Sequence, residues 1–272
     1  MSRSRAAFAL LLAVGSTWAA LPLPDYVSPC SIKASDRKIS QCALEHARLV
    51  MPKVMKGDPK YNIPILDPLH VDRMEVINGE GPLGLQLITT DLNVYGLPDM
   101  IINSVTHVAK PLGVTYVTTT PEITVNGKYN ITGRILLLNI YGQGNVVMKL
   151  KNMKIIYQYD AEMQKHKDGE IYFVPLPGER MDIEVDGLSV HLDNLFNGDK
   201  ILLESTNRFL NEEWQEVYES LKPSFIKEIS ALIRNILKGI FDQVPMRNGW
   251  LDFDEFTKDK DKFQVVDKSK GP

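Results

Sequence analysis

Positive charge is scarce in this 272-residue sequence. Its 31 lysines and arginines are outnumbered by 34 aspartates and glutamates, which leaves a formal net charge of −3. Binding to nucleic acid and to anionic membranes depends on a surplus of basic side chains. The composition therefore argues against a nucleic-acid partner and makes an anionic membrane a poor one.

Long hydrophobic runs are also lacking. The apolar run Ala6–Val14 follows two arginines and is shorter than the roughly twenty residues that a membrane-spanning helix needs. A basic start, a short apolar centre and small residues up to Ala20 are typical of a secretory signal peptide, predicted here over residues 1–20. We therefore expect a secreted, extracellular chain that begins near Leu21 and has no stable membrane insertion.

Cysteine occurs only as Cys30 and Cys42. Two cysteines close together in a secreted chain predict one disulfide that closes a short N-terminal loop, worth about 3 kcal/mol in the chain-entropy model. A zinc site would need a histidine cluster beside them, whereas the five histidines are scattered along the sequence. We expect no metal site.

The sequence contains a single N-glycosylation sequon, Asn130-Ile131-Thr132. In a secreted chain it is a candidate glycosylation site.

Motifs for enzyme chemistry are missing as well, because the sequence has neither an HExxH nor a GxSxG pattern. Gly142-Gln143-Gly144 lacks the third glycine and the following helix of a phosphate-binding loop, so a hairpin turn is the better interpretation. Asp259 and Asp261 lack the glycine and the closing glutamate of a calcium loop, and residues 254–272 are predicted to be a charged flexible tail. The sequence thus predicts a protein that is not an enzyme and that uses no cofactor.

A long amphipathic stretch, Asn197 to Pro245, dominates what is present. Its apolar residues recur three or four apart, which predicts one very long helix with an apolar stripe. Pro223 lies in phase within the stripe and predicts a kink rather than an end. The stripe consists of Leu210, Trp214, Val217, Leu221, Phe225, Ile229, Leu232, Ile236, Ile240 and Val244.

The preceding sequence changes from helical to strand periodicity. Ser40–Met55 predicts a short helix capped by Ser40, and Tyr61–Pro68 predicts an extended connector. From about Val71 to Leu192, alternating segments predict an antiparallel sheet, with hairpin turns at Asn126-Gly127 and at Gly142 to Gly144. The predicted fold class is α+β, in which a highly curved antiparallel sheet wraps the long C-terminal helix.

Several motifs resemble those of the takeout and juvenile-hormone-binding family of insect secreted proteins. They are the cysteine pair, IPILDPLHVDRMEV at Ile63–Val76, YNITGRILLLNIYGQGN at Tyr129–Asn145, and NLFNGDKILLESTNRFLNEEWQEVYESLKP at Asn194–Pro223. The resemblance covers nearly the whole mature sequence. Classical haemolymph carriers in this family have a second disulfide, which this chain lacks, so the sequence is more similar to the takeout branch.

The resemblance implies a single tubular lipid-binding module, residues 21–253, that carries an elongated hydrophobic molecule in an internal tunnel. Without the resemblance, a solid core would be the better interpretation, because protein interiors are close-packed. Asn207 and Tyr218 are candidates either for a polar ligand contact or for packing. The residues expected to line the tunnel are Val50, Val54, Phe209, Trp214, Val217, Tyr218, Leu221, Phe225, Ile229, Leu232 and Ile236.

Three functions remain open at this point. The first is a monomeric secreted carrier of a juvenile hormone-like terpenoid, a fatty acid or a similar lipid. The second is a lipid-transfer or endotoxin-binding protein at a membrane surface, although without residues 1–20 the chain has 29 basic and 34 acidic residues and no basic surplus. The third is a secreted interaction protein in which the helix fills the sheet completely.

Overall fold

The structure is a computed structural model that describes residues 20–79, 84–258 and 264–269. The predicted signal peptide, except Ala20, lies outside the described residues. So do Leu83, in the region of predicted strands, and Asp259 and Asp261 of the predicted tail. The strands are β1 (Cys30–Ser31), β2 (Leu69–Asn78), β3 (Leu85–Tyr95), β4 (Ile101–Ala109), β5 (Leu112–Ile135), β6 (Leu138–Lys165), β7 (Ile171–Pro175), β8 (Arg180–Glu184), β9 (Gly187–Leu192), β10 (Trp250–Leu251) and β11 (Val265–Asp267). The helices are α1 (Asp36–Val54), α2 (Lys200–Glu212), α3 (Trp214–Phe241), α4 (Met246–Gly249) and α5 (Phe253–Phe256).

The main sheet is built on one long hairpin. β5 and β6 pair antiparallel from Gly113 opposite Asp160 to Ile135 opposite Leu138. β3 and then β2 extend the sheet beside β5, β4 pairs with the first part of β5, and β7, β8 and β9 pair with β6. α3 lies against β2, β7, β8 and β9. The predicted fold class, a curled antiparallel sheet around a long C-terminal helix, is confirmed.

Both hairpin turns predicted at glycines are wrong. Gly127 lies inside β5 and Gly142 and Gly144 lie inside β6, while the chain reverses at residues 136–137. These glycines allow close backbone contacts instead. A Cβ atom on Gly127 would lie 2.8 Å from the carbonyl oxygen of Asp91, and one on Gly142 would lie 2.9 Å from the Cα atom of Leu195. Glycine in a strand interior often marks such an approach.

The first helix begins earlier than predicted. α1 starts at Asp36 behind Ser35, so Ser40 is not its cap. Instead, the Ser40 hydroxyl donates to the Asp36 carbonyl at 2.7 Å and accepts from the backbone N–H of His107 at 2.8 Å. Ser40 therefore attaches α1 to β4.

The long helix is divided, but not at its proline. Glu213, with φ −103° and ψ 30°, separates α2 from α3, whereas α3 continues through Pro223. Pro223 lies on the exposed face of α3, where water can satisfy the carbonyl group that loses its partner. The prediction of one uninterrupted helix is therefore wrong at Glu213, whereas the helix does not end at Pro223, as predicted.

The C-terminal tail differs from the flexible segment that we predicted. Phe253 is the last residue of the predicted module, and Phe256 and Val265 of the predicted tail, residues 254–272, pack against the apolar cluster that contains it. β11 also pairs parallel with β6, from Val265 opposite Met163 to Asp267 opposite Lys165. The described part of the tail is held because its apolar side chains have a core to join, despite the charged residues around them.

The N-terminal segment is held by the predicted disulfide, since Cys30 and Cys42 are bonded. β1 also pairs parallel with β10, which places the disulfide close to the C-terminal segment. Two apolar clusters form the core. One surrounds Leu195 and Leu210 under α2, and the other surrounds Tyr159 and Phe253 near α1 and the C-terminus.

Candidate functional site

A cavity of about 640 Å³ lies between the concave face of the sheet and α3. Small-molecule sites commonly have volumes of roughly 300–1,000 Å³, so the space is large enough for a ligand. Its walls are almost entirely apolar. They come from α1, from inward-facing residues of β2, β3, β5, β6, β8 and β9, from Leu210 of α2 and from one face of α3. The interior is therefore hollow rather than solid.

Nine of the eleven side chains expected along the tunnel line this cavity. They are Val50, Val54, Val217, Tyr218, Leu221, Phe225, Ile229, Leu232 and Ile236. Phe209 and Trp214 do not line it. Phe209 packs on the apolar cluster under α2, and Trp214 is half-buried at the start of α3. Phe209 is not part of the apolar stripe, and its neighbour Leu210, which is, does line the cavity. Trp214 is the first residue of α3 and lies before the part of that helix that lines the cavity.

The predicted lining contained no strand residue, so the sheet's contribution was missed. Leu92, Ile123, Ile131 and Ile155 all face the cavity, as does Met51 of α1. Their signal was the alternation of apolar and polar residues along each strand. That alternation shows which residues share a face, but it cannot show whether the face meets a packed core or an open space.

Tyrosines provide the notable polar atoms of the cavity wall. Tyr116 of β5 and Tyr157 of β6 are cross-strand partners and both line the cavity. The rings of Tyr157 and Tyr159 are 5.8 Å apart, and those of Tyr116 and Tyr159 are 6.3 Å apart. The three rings therefore form one group, called here the tyrosine cluster.

The hydroxyl of Tyr157 is buried and has no hydrogen-bond partner among the described residues. Burial raises the pKa of Tyr157 to about 12, helped by the nearby Glu179 carboxylate, so the group is a neutral donor at physiological pH. A buried, unpaired hydroxyl is costly. Tyr157 thus contributes to the cavity wall and carries a donor that no described residue satisfies.

Three other polar groups of the lining are already engaged. The Tyr218 hydroxyl donates to the carbonyl of Ile183 at 2.7 Å. The ammonium group of Lys222 lies 2.7 Å from a carboxylate oxygen of Asp182. The hydroxyl of Tyr129 donates to the carbonyl of Asp193. These contacts leave Tyr157 as the better candidate for a polar contact with a ligand.

Asn207, a candidate either for ligand binding or for packing, has a structural position. Its amide accepts from the Leu192 N–H at 2.9 Å and donates to the Leu192 carbonyl at 2.8 Å. Asn211 makes the same pair of contacts with Val190, at 3.0 and 2.7 Å. Both asparagines thus attach α2 to β9.

His46 lies closer to the cysteines than the sequence suggested. Its Nδ1 atom is 3.6 Å from the sulfur of Cys42 and 3.7 Å from that of Cys30. Within the described ranges, these three residues form the one group whose ligand atoms come close enough for a shared metal ion. Because both sulfurs are in the disulfide, neither is a thiolate ligand.

Asn130 lies on the outer surface of the sheet. Its side chain is exposed, whereas Ile131 is buried and faces the cavity. The sequon asparagine is therefore on the opposite side of β5 from the ligand space.

The chain matches one known protein family over most of its length. The profile described as haemolymph juvenile hormone binding protein matches residues 7–248. The chain belongs to this family. The takeout resemblance is likewise confirmed by individual relatives.

Circadian clock-controlled protein daywake is similar in two flies. The Drosophila yakuba protein is 26% identical over 237 residues, which span 85% of this chain and 88% of the relative. The Drosophila melanogaster protein is 25% identical over 235 residues, which span 84% and 87%. The crystal structure of takeout 1 from Epiphyas postvittana superposes with a TM-score of 0.70 at 26% identity, covering 83% of this chain and all of that one.

Among the described residues, no helix is both long enough and apolar enough to cross a bilayer.

Proposed function

We propose that this protein is a secreted carrier that holds one elongated, uncharged hydrophobic molecule in its internal cavity. The observation that carries the proposal is a hollow, apolar interior of about 640 Å³ where close packing is the rule. Membership of a family described by hormone binding supports the same function. Residues 21–253 would form the single binding module.

The distribution of polar groups points to a neutral ligand with one hydrogen-bond acceptor. Tyr157 offers a buried donor, and the ammonium of Lys222 is already paired with Asp182. An ionised carboxylate in this cavity would lie without a free cation among the described lining residues, and burying an unpaired charge is costly. Terpenoid esters and fatty acyl esters fit these requirements better than free fatty acids.

The test is ligand binding by protein that has been stripped of lipid. Displacement of a fluorescent fatty acid methyl ester should show affinity rising with chain length, by more than about tenfold for two added methylenes at roughly 0.8 kcal/mol each. A free fatty acid of equal length should bind more weakly at pH 7.4 than its methyl ester. The heat-capacity change should be negative, because binding removes apolar surface from water.

Mass spectrometry of organic extracts from native protein identifies the ligand class. Stripped protein that binds no apolar probe would end the carrier proposal and favour a secreted interaction protein. Preference for the free acid over the ester would leave the carrier but overturn the assignment of a neutral ligand.

A further inference from the structure

The cavity extends to the C-terminal half of α1, where three large aliphatic side chains are exposed at the surface. Val50 and Val54 of α1, Leu66 of the connector and Met100 before β4 line this end of the cavity. A large exposed aliphatic side chain stands next in sequence to three of them. Leu49 is 75% exposed, Ile65 is 60% exposed and Ile101 is 54% exposed.

Hydrogen bonds bring these three residues to one rim although they come from separate segments. The Leu66 N–H donates to the Met55 carbonyl at 3.0 Å, which places Ile65 beside the end of α1. The Arg48 guanidinium donates to the Ile102 carbonyl at 2.9 Å, which places Ile101 beside the middle of α1. We call Leu49, Ile65 and Ile101 the apolar rim.

The charge at one end of the apolar rim differs in sign from that of the chain. Around the whole rim, Arg48, Lys53, Lys56 and Lys60 are balanced by Glu45, Asp58, Asp67 and Asp99. At the end of α1 beside Ile65, however, three lysines face two of these acids, Asp58 and Asp67, in a chain whose net charge is −3. The basic side chains near the rim are therefore concentrated at its Ile65 end.

We propose that the apolar rim docks on a lipid membrane surface and that ligand passes between the bilayer and the cavity there. The inference rests on the proposed carrier function. A ligand that suits an apolar cavity dissolves poorly in water, so a bilayer is the phase that can supply or accept it. Exposed apolar side chains beside basic residues are the features that hold proteins at an anionic lipid interface.

The test measures how a labelled ligand leaves the protein. The probe is an anthroyloxy-labelled fatty acid methyl ester, and the acceptors are phosphatidylcholine vesicles with or without about a quarter phosphatidylserine. For wild type, the transfer rate should rise in proportion to vesicle concentration and should be higher with phosphatidylserine. Leu49→Glu, Ile65→Glu and Ile101→Glu combined should slow transfer by about tenfold or more, with unchanged affinity for the probe.

A matched control exists at the other end of the hairpin. Leu137 and Ile201 are 90% and 80% exposed. Ile101 pairs with Thr119 of β5, and Leu137 follows the far end of that strand, roughly 50 Å away along its length. The variant with Leu137→Glu and Ile201→Glu should transfer ligand like wild type. Equal slowing of both variants would overturn the proposal, since any loss of apolar surface would then have the same effect.

Other outcomes separate the two proposals. A wild-type rate that does not depend on vesicle concentration would mean that ligand leaves through water, which overturns membrane docking but keeps the carrier. A wild type that never binds the probe would overturn both. A wild-type dimer in light scattering that becomes monomeric in the rim variant would show that a second copy covers the rim, and would also overturn membrane docking.

Discussion

The Nη1 atom of Arg234 on α3 lies 2.6 and 2.8 Å from the two carboxylate oxygens of Glu179, next to β8. The Glu179 side chain is only 7% exposed, so its charge depends on this partner. Arg234→Met should lower the free energy of unfolding by about 1–3 kcal/mol, because it leaves a buried carboxylate uncompensated. Urea denaturation measures the change. Arg180→Met, which removes a more exposed partner of Asp160, should cost less than about 1 kcal/mol and is the control.

The same pair predicts a dependence of stability on acid. Burial alone would raise the pKa of Glu179, but its own backbone N–H and the Arg234 guanidinium outweigh burial and hold that pKa below its ordinary 4.5. A lowered folded-state pKa contributes stability that is present above the unfolded pKa and is lost as pH falls through the folded one. Wild type should therefore lose stability below about pH 4.5, and Glu179→Gln with Arg234→Met should lose less over that range. Identical acid profiles for the two proteins would contradict this assignment.

The disulfide predicts that the protein has no free thiol and that loss of the bond lowers the free energy of unfolding modestly. In denatured but unreduced protein, neither Cys30 nor Cys42 should react with an alkylating reagent. Cys42→Ser should lower the free energy of unfolding by about 3 kcal/mol at most, because the closed loop is short. Two titratable thiols in the native protein would be incompatible with the bond.

The sequon predicts an N-linked glycan on the outer face of β5, because Asn130 is exposed there. Protein secreted from insect cells should lose mass after treatment with a peptide N-glycosidase. Thr132→Ala should abolish that shift without changing probe affinity, because Asn130 points away from the cavity. A shift that persists in Thr132→Ala would place the glycan elsewhere.

Periodicity predicted the architecture well because it reflects which faces are buried. Val217, Leu221 and Phe225 recur at helical spacing, and they line one face of α3 as expected. Glycine was the weaker signal. A glycine such as Gly127 is compatible both with a hairpin turn and with a close approach of another backbone segment. The structure shows the second, because the backbone of Asp91 passes close to Gly127.

The cavity itself could be predicted only in part. The two expected residues that do not line it, Phe209 and Trp214, flank a break at Glu213 that no proline or glycine marks, whereas Leu210 and Val217 of the stripe do line it. The tyrosine cluster was missed because Tyr116 and Tyr157 are distant in sequence and meet through the register of β5 and β6. Pairing register depends on the whole sheet rather than on any local pattern.

The unpaired hydroxyl of Tyr157 predicts a selective loss of affinity. Tyr157→Phe should weaken binding of an ester ligand by about 2- to 13-fold, the equivalent of a hydrogen bond worth roughly 0.5–1.5 kcal/mol, and should leave binding of a plain hydrocarbon unchanged. Stability of the stripped protein should not fall, since the hydroxyl has no partner there. Tyr218→Phe is the control. It removes the bond to Ile183 and should cost about 1 kcal/mol of stability without changing the preference for an ester. Equal weakening of both ligands by Tyr157→Phe would mean that the ring, not the hydroxyl, contacts them.

Val217 provides the sharpest test of a hollow interior, because it is small, it is buried and it lines the cavity. Val217→Trp should place its ring in the cavity, abolish displacement of the fluorescent ester and leave the melting temperature near that of wild type. Ile140→Trp is the matched control, because Ile140 is buried in the cluster under α2 and does not line the cavity. Overpacking at Ile140 should destabilise the protein by about 1–3 kcal/mol, since a packed core has no room for the added atoms. If Val217→Trp destabilises the protein as much as Ile140→Trp does, the interior around α3 is filled in solution and a ligand cannot occupy it.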